Sequence, residues 1–375
     1  MRVAVISHTY ILAANRGKLE SLRSIPGIEI VLVVPNRWTN RDLRQAFSAE
    51  QIGESPFPTR AVSSASFGFR SLLTYSPMGL WRTLREFRPD IVHLEEEPWG
   101  VAALETALIC RRLRVPFAFF TWENTDGRLP LLLRVIQRFV FANARAAVAG
   151  NREAGMLLQR AGFRGAVSVL PQLGVDVGRF SPGADNGGAD VPVVGFVGRL
   201  VPGKGIMALL DSVARIDAPF RVMVVGNGPL RTEVLARARA LGLDGKLVLH
   251  DAVRHHEVPE YLQRMSLLVL PSRTTATWKE QFGHVLIEAM ACGVPVVGSD
   301  SGAIPEVIGD AGVVVPEGDV TALTRAISQL LADPARRREL AARGRARVLS
   351  QYTNESIAQR LVTVWDQVLK SGGAR

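Results

Sequence analysis

Residues 267–297 constrain this chain more tightly than any other stretch. Leu267-Leu-Val-Leu270 is an apolar run of strand length, bounded by turn residues. A polar loop, Pro271-Ser-Arg-Thr-Thr-Ala-Thr-Trp-Lys-Glu-Gln281, follows it. Phe282 to Cys292 then carries apolar residues at helical spacing, and Gly293-Val-Pro295 stops that helix before the next strand, Val296-Val297. Two carboxylates mark the unit, Glu280 at the helix entrance and Glu288 further along it. Eight helical positions are about 2.2 turns, so both side chains can face one cleft if Glu280 sits just ahead of the first turn. The backbone N–H groups of Gln281, Phe282 and Gly283 would then point outward at a helix N-terminus, where anionic or hydroxyl-rich ligands bind. The plainer alternative is one glutamate capping the helix and another solvated on its flank.

The same alternation runs along the whole chain. In the first half, strands are expected at Val3–Ile6, Ile28–Val34, Asp90–His93, Phe117–Phe120, Ala146–Val148 and Val167–Leu170. Helices separate them at Lys18–Ser24, Gly79–Phe87, Gly100–Arg112 and Leu131–Phe141, with a looser region running to about Ser76. The second half places strands at Val193–Val197, Phe220–Val225, Leu247–Leu249, Leu267–Leu270, Val294–Val297 and Val313–Val315. Its helices are expected at Ile206–Ile216, Leu230–Leu241, Glu257–Met265, Phe282–Cys292 and Ala303–Gly309. Three more follow at Ala322–Ala332, Ala335–Leu349 and Ile357–Lys370. Strand-helix alternation of this kind builds a parallel, doubly wound sheet with ligands at the carboxyl ends of the strands. At 375 residues the chain should form two such domains. Residues 176–190, poor in apolar side chains and rich in Gly, Asp, Pro and Asn, read as the linker. The expected domains are therefore 1–175 and 191–351, with 352–375 returning to complete the first.

Composition narrows the class. Cys110 and Cys292 lie inside apolar segments, which implies two buried thiols and a reducing, cytoplasmic setting. The apolar run at the N-terminus is too short for a signal peptide and reads as a strand. The longest apolar stretches, 101–120 and 131–149, are interrupted by arginines, so no membrane span is expected. Of the formal charge of +10, about +8 falls in residues 1–180, which hold 23 basic and 15 acidic side chains. A basic half of this kind suits either peripheral contact with an anionic membrane or a merely solvated surface. Nucleic acid is not expected, because few aromatics and no recognition motif accompany the charge.

Three further turns carry chemistry. Gly198-Arg199-Leu200 follows a strand directly, and Lys204-Gly205 opens the next helix, which would set two cations around a diphosphate. Gly226-Asn-Gly228 ends another strand, where glycines permit close backbone approach, although the third glycine of a dinucleotide fingerprint is missing. Ser299-Asp-Ser-Gly-Ala303 is the third. Each alone could be an ordinary tight turn.

Glu280-Gln-Phe-Gly followed by Glu288-Ala-Met-Ala-Cys-Gly-Val-Pro-Val-Val resembles the signature of glycosyltransferase family 4, the retaining enzymes that use nucleotide-sugars. The resemblance covers most of residues 165–350 and implies the GT-B fold, α/β, with two Rossmann-like domains and an active site in the interdomain cleft. It implies that Arg199 and Lys204 hold the donor diphosphate and that Glu288 bonds the ribose hydroxyls. Glu280 would bond the transferred sugar, assisted by the backbone of Phe282 and Gly283. Gly226 and Gly228 would lie near the nucleoside, with Gly198 also in the donor site and Ser272 at the strand end. It also implies metal-independent transfer with retention to a hydroxyl acceptor, the diphosphate taking the acceptor's proton, with no cofactor beyond the donor. Fixed cations and helix N-termini would stabilise the leaving group, a preorganised electrostatic effect.

The first half departs from the family pattern. Where paired glycines usually follow the first strand, this chain has His8-Thr-Tyr-Ile-Leu-Ala-Ala-Asn-Arg-Gly17-Lys18, leaving Gly17 for close approach to the donor. Where a cleft histidine usually sits, it has Phe119-Phe-Thr-Trp122-Glu123-Asn124, so Glu123 or Asn124 would take that contact. Glu95-Glu-Glu97-Pro-Trp99 is a second wall, read either as an acceptor-side sugar site with Glu97, Trp99 and Trp122 or as a solvated loop with one buried Trp. His93 reads as a packed strand residue, and His255-His256 as solvated or capping. The expected function is glycosyl transfer in polysaccharide or glycolipid synthesis, with a lipid-linked acceptor among the candidates. A nucleotide-sugar-binding protein without catalysis and a GT-B epimerase are the alternatives.

Overall fold

A computed structural model of the chain describes residues 1–40, 45–48, 55–67, 72–127, 129–183 and 191–372. It divides into two compact units, residues 1–174 with 354–375, and residues 175–353. The stretch expected as linker is partly folded: residues 176–183 belong to the second unit, and 184–190 lie outside the described residues.

In the first unit the strands are β1 (Arg2–Ile6), β2 (Glu29–Pro35), β3 (Arg37–Asn40), β4 (Gln45–Ser48), β5 (Thr59–Val62), β6 (Ser64–Phe67), β7 (Leu72–Tyr75), β8 (Ile91–Leu94), β9 (Phe117–Thr121), β10 (Ala146–Ala149) and β11 (Ala166–Val169). Its helices are α1 (Gly17–Arg23), α2 (Pro77–Phe87), α3 (Val101–Leu113), α4 (Leu131–Asn143) and α5 (Arg152–Arg160). Seven strands form one parallel sheet in the order β11-β10-β9-β8-β1-β2-β5. The alternation of β1 sends Ala4 and Ile6 to one face and Val3 and Val5 to the other, and both faces are covered. The region expected to be loose holds β3 to β7, including two antiparallel pairs, β3 with β4 and β6 with β7. Those strands are only four residues long and several are half-exposed, which is why their apolar pattern is weak.

The second unit continues with β12 (Val193–Val197), α6 (Ile206–Val213), β13 (Arg221–Val225), α7 (Arg231–Ala240), β14 (Leu247–His250), α8 (Val258–Leu262), β15 (Leu267–Leu270), α9 (His284–Ala291), β16 (Val296–Ser299), α10 (Ile304–Ile308), β17 (Val313–Val315), α11 (Val320–Ala332) and α12 (Pro334–Gln351). Its parallel sheet runs β14-β13-β12-β15-β16-β17. α13 (Asn354–Gly372) belongs to the first unit, where Ala358, Leu361, Val364 and Trp365 complete the core against β1 and β2. α9 starts two residues later than expected, because Gly283 adopts φ 82° and caps it in the left-handed conformation. Glu280 therefore sits in the loop and not on the helix.

One ion pair is sealed inside the first unit. Lys18, in the first turn of α1, donates to Glu95 at 2.7 Å, and their side chains are 2% and 0% exposed. Gln172 donates to the other Glu95 oxygen at 2.9 Å, and His93 Nε2 lies 3.2 Å from the first. Burial alone would raise the Glu95 pKa, but Lys18 and His93 override it and hold the carboxyl well below its usual range. Pairs of this kind fix register more than they add stability, since desolvation offsets much of the attraction. Lys18→Met should cost about 3–5 kcal/mol in urea unfolding by stranding a buried carboxylate. Lys18→Met with Glu95→Leu should recover part of that loss.

Candidate active site

In the second unit the polar groups gather where strands end. β12 runs into Gly198-Arg199-Leu200, and a 3₁₀ turn over Pro202–Lys204 leads to α6. Gly205 between them has φ 72°, and a Cβ there would lie 1.8 Å from the Pro271 carbonyl oxygen. Only glycine allows the α6 entrance to sit this close to the end of β15. That approach brings Lys204 Nζ within 2.6 Å of Glu280 Oε2, to which the buried Ser272 hydroxyl also donates at 2.8 Å. The Lys204 ammonium also lies 5.2 Å from the centre of the Trp278 ring. Glu280 is 5% exposed. Its backbone is pinned too, because its carbonyl accepts the Ala303 N–H at 3.0 Å and abuts Gly302.

Gly226 meets Gly198 in the same way. With φ 150°, its Cβ would fall 1.9 Å from the Gly198 carbonyl oxygen, so the loops after β12 and β13 touch through bare backbone. Gly228 packs on the Leu200 carbonyl. Phe282 is buried, with its ring 4.8 Å from His284 and 5.7 Å from Tyr352.

Glu288, on α9, holds a partner that the sequence did not reveal. His255 Nε2 lies 2.9 Å from Glu288 Oε1, with the Phe180 ring 5.2 Å from the imidazole. The hydrogen bond that Glu288 accepts from the ring raises the His255 pKa against the opposing effects of burial and Arg179. His255 is thus neither simply solvated nor a helix cap. His284, the first residue of α9, is the second omission. Burial lowers its pKa, while Glu288 and Glu280 both push it up and His255 and Lys204 push it down. One half-buried ring therefore feels both signature carboxylates and both of their cationic partners. Its signal in the sequence is its place directly after Gly283, four residues from Glu280 and four from Glu288.

In the first unit the candidates separate. Gly17 faces Asn354 of α13, where a Cβ would come within 2.4 Å of the amide nitrogen, so helix packing accounts for its small size. Trp122 donates from Nε1 to Gln172 at 2.9 Å, and Asn124 is 1% exposed. Glu97, Trp99 and Glu123 come together on a cavity of about 260 Å³, which Asp126, Arg134 and Arg160 also line. Trp99 lines this cavity but belongs mainly to the core, 7% exposed, as the alternative of one buried Trp has it. The three adjacent glutamates are not a solvated loop either. Glu95 pairs with Lys18, Glu96 with His8, and Glu97 accepts from the Thr121 hydroxyl and the Trp122 N–H. Cys110 and Cys292 are buried thiols pushed up to about 12 by desolvation, and are inert.

Two parallel-sheet units with glycine turns and paired charges at the strand ends have the architecture of the GT-B glycosyltransferases. Family models agree: "Glycosyl transferases group 1" matches residues 185–347, and "Glycosyl transferase 4-like domain" matches 26–172. A 2-deoxystreptamine N-acetyl-D-glucosaminyltransferase of Streptomyces fradiae is 30% identical over 303 residues, 74% of this chain and 71% of that protein. A GDP-mannose-dependent phosphatidylinositol monomannoside mannosyltransferase of Mycolicibacterium smegmatis is 34% identical over 203 residues, 50% of this chain and 53% of that one. The chain thus spans about half the length of some relatives it matches. Among solved structures, Anabaena HepE in complex with UDP superposes with a TM-score of 0.77 over 98% of this chain and 100% of that one, at 18% identity. Sucrose-phosphate synthase of Thermosynechococcus elongatus gives 0.74 over 99% of this chain and 100% of that one, at 21% identity. The chain belongs to glycosyltransferase family 4.

Glu97 generates a pH test. Burial pushes its carboxyl up to about 7 despite the bonds from Thr121 and Trp122, with Glu123 and Glu96 adding to the rise. A carboxyl whose folded pKa is raised contributes stability that is complete below its ordinary pKa and lost as pH climbs through the folded value. Relative to Glu97→Gln, the wild type should lose up to about 1.4 kcal/mol per pH unit between about pH 4.5 and 7. Denaturant unfolding of both proteins across that range measures it.

Proposed function

We propose that this chain transfers a sugar from a nucleoside-diphosphate sugar to a hydroxyl acceptor with retention at the anomeric carbon, in the synthesis of a polysaccharide, glycolipid or other glycoconjugate. The observation that carries this reading is the contact of Lys204, Ser272 and Glu280 between the α6 entrance and the end of β15. Breaking the bond from the anomeric carbon to the diphosphate leaves negative charge on phosphate and positive character on the sugar. Lys204 and Arg199 would stabilise the first in place of a metal ion, and Glu280 the second. With no donor bound, Lys204 and Glu280 neutralise each other, which holds both side chains in position and limits their reorganisation when a substrate arrives. Glu288, braced by His255, would receive the ribose hydroxyls. The names of relatives and the UDP-bound neighbour support a nucleotide-sugar donor.

A thermal-shift panel of nucleoside diphosphates and nucleotide-sugars tests donor binding, since a ligand at a hundred times its Kd adds about 2.7 kcal/mol. Arg199→Ala and Lys204→Ala should each lower turnover by about 10²–10³, and Glu280→Gln should abolish transfer while the nucleotide still binds. Unchanged turnover in both cation variants would refute the assignment.

We further propose peripheral association with the cytoplasmic face of an anionic membrane, where a lipid-linked acceptor would be met. Among the described residues no helix is long and apolar enough to cross a membrane. α4, however, exposes Leu131 at 70%, Leu132 at 71% and Val135 at 54%, beside the exposed Arg134 and Arg138. Apolar side chains among cations on one helix suit an anionic interface. Sedimentation with anionic vesicles at low salt should fall several-fold in Arg134→Glu/Arg138→Glu and also on raising salt to 0.5 M.

A further inference from the structure

In the seven-stranded sheet, β2 and β5 lie on one side of β1, and β8 to β11 on the other. Strand order therefore reverses between β1 and β8, which pair directly, Ile6 opposite Leu94. Open parallel sheets take ligands outside the carboxyl ends of the strands at such a switch point. His8 follows β1 there, and Glu96 follows β8. Glu96 accepts the His8 backbone N–H at 2.9 Å on one oxygen and lies 2.7 Å from the ring Nδ1 on the other. The buried Tyr75 hydroxyl donates to the same carboxylate at 3.0 Å. A carboxylate only accepts, so Nδ1 carries the proton and Nε2 presents a lone pair. Among the described residues Nε2 has no partner, on a side chain 30% exposed. Beside it stands an aromatic ledge, with the Trp38 ring 4.8 Å from the imidazole and Phe47 stacked on Trp38 at 5.7 Å and 19°. Both rings are half-buried.

We propose that this is the acceptor site: His8 Nε2 accepts a hydrogen bond from a hydroxyl of a sugar or cyclitol ring whose C–H face rests on Trp38. The proposal rests on the glycosyl-transfer reading, but its residues are separate from the donor-binding groups of the second unit. A lone-pair nitrogen held in one tautomer beside an apolar ring face matches a polyhydroxylated ring, which offers O–H donors at its edge and C–H groups on its faces. It does not match a phosphate, because the Glu96 carboxylate touches the imidazole and Glu95 and Glu97 add to the negative potential there.

The arrangement also sets a pH dependence. Burial disfavours the charged ring, but Glu96, with Glu95 and Glu97 behind it, outweighs burial and raises the His8 pKa. Glu95 is neutralised by Lys18, and burial keeps the Tyr10 and Tyr75 phenols un-ionised, so Glu96 is the dominant charge facing His8. Once Nε2 is protonated it donates and no longer accepts. Acceptor binding should therefore be present above the His8 pKa and lost below it.

The test uses the full chain, with ¹⁵N NMR of the histidine rings and the Trp indoles. myo-Inositol, an uncharged cyclitol, is the probe, and thermal shift with UDP and GDP is the parallel control. The expected result is saturable shifts of His8 Nε2 and Trp38 together, at least tenfold weaker two pH units below the His8 pKa. They should be lost in His8→Asn, and in Glu96→Gln the acid limb should move to lower pH, with nucleotide affinity within twofold of wild type in both variants. No shift of either residue, or a shift that persists at acid pH or in His8→Asn, overturns the proposal while leaving the donor site standing. If the wild type binds no nucleotide, the glycosyl-transfer reading falls, and this proposal falls with it. Should His8→Asn fail to fold, Glu96→Gln decides alone, because a purely structural His8 gives no acid limb to move.

Discussion

Each unit depends on a lysine at the entrance of its first helix bonded to a glutamate from the loop after a neighbouring strand. In the first unit Lys18, beyond β1, meets Glu95 after β8 at 2.7 Å. In the second, Lys204, beyond β12, meets Glu280 after β15 at 2.6 Å. β1 pairs with β8 and β12 with β15, so both contacts span the place where strand order reverses. That place has no crossover helix over it, so the polar ends of the two strands converge there. Charge of both signs is what makes such a convergence tolerable.

The two pairs have diverged in exposure, and exposure separates their roles. Lys18 and Glu95 are 2% and 0% accessible, so nothing from solvent can compete for either, and the pair acts as a structural tie. Lys204 and Glu280 keep 17% and 7%, with Trp278 on one side of the ammonium and Ser272 on the carboxylate. A pair that is reachable and already oriented can exchange partners with a ligand at small reorganisation cost. The same chemical device is a strut in one unit and, in the function proposed above, the donor-binding pair in the other.

The run Glu95-Glu96-Glu97 shows how far apart consecutive side chains can be sent once a strand ends. The first turns inward to Lys18, the second fixes His8 and Tyr75, and the third caps the Thr121–Trp122 turn. Three like charges in sequence would repel strongly if they shared one environment. Here one is neutralised by an ammonium, one is bonded to an imidazole and a phenol, and one is pushed toward its protonated form. Sequence offered only the cluster. Its division into three functions needed α1, β7 and β9 to be brought up against it.

What the chain by itself determined was the alternation of strand and helix, the two sheets, and the turn residues at the ends of β12, β13 and β15. These are local: periodicity and the φ demands of glycine act within a few residues. The glycine turns after β12 and β13 were legible for that reason, whereas the contacts of Gly205 with Pro271, Gly226 with Gly198 and Lys204 with Glu280 were not. Only the tertiary structure decided that His255 braces Glu288, that Gly17 faces Asn354, and that His8 is aligned by Glu96. Each of these joins residues 33 to 337 positions apart, or depends on burial that no local pattern encodes. A side chain's protonation and partners follow from what surrounds it in space, and that is fixed only when distant strands are laid side by side.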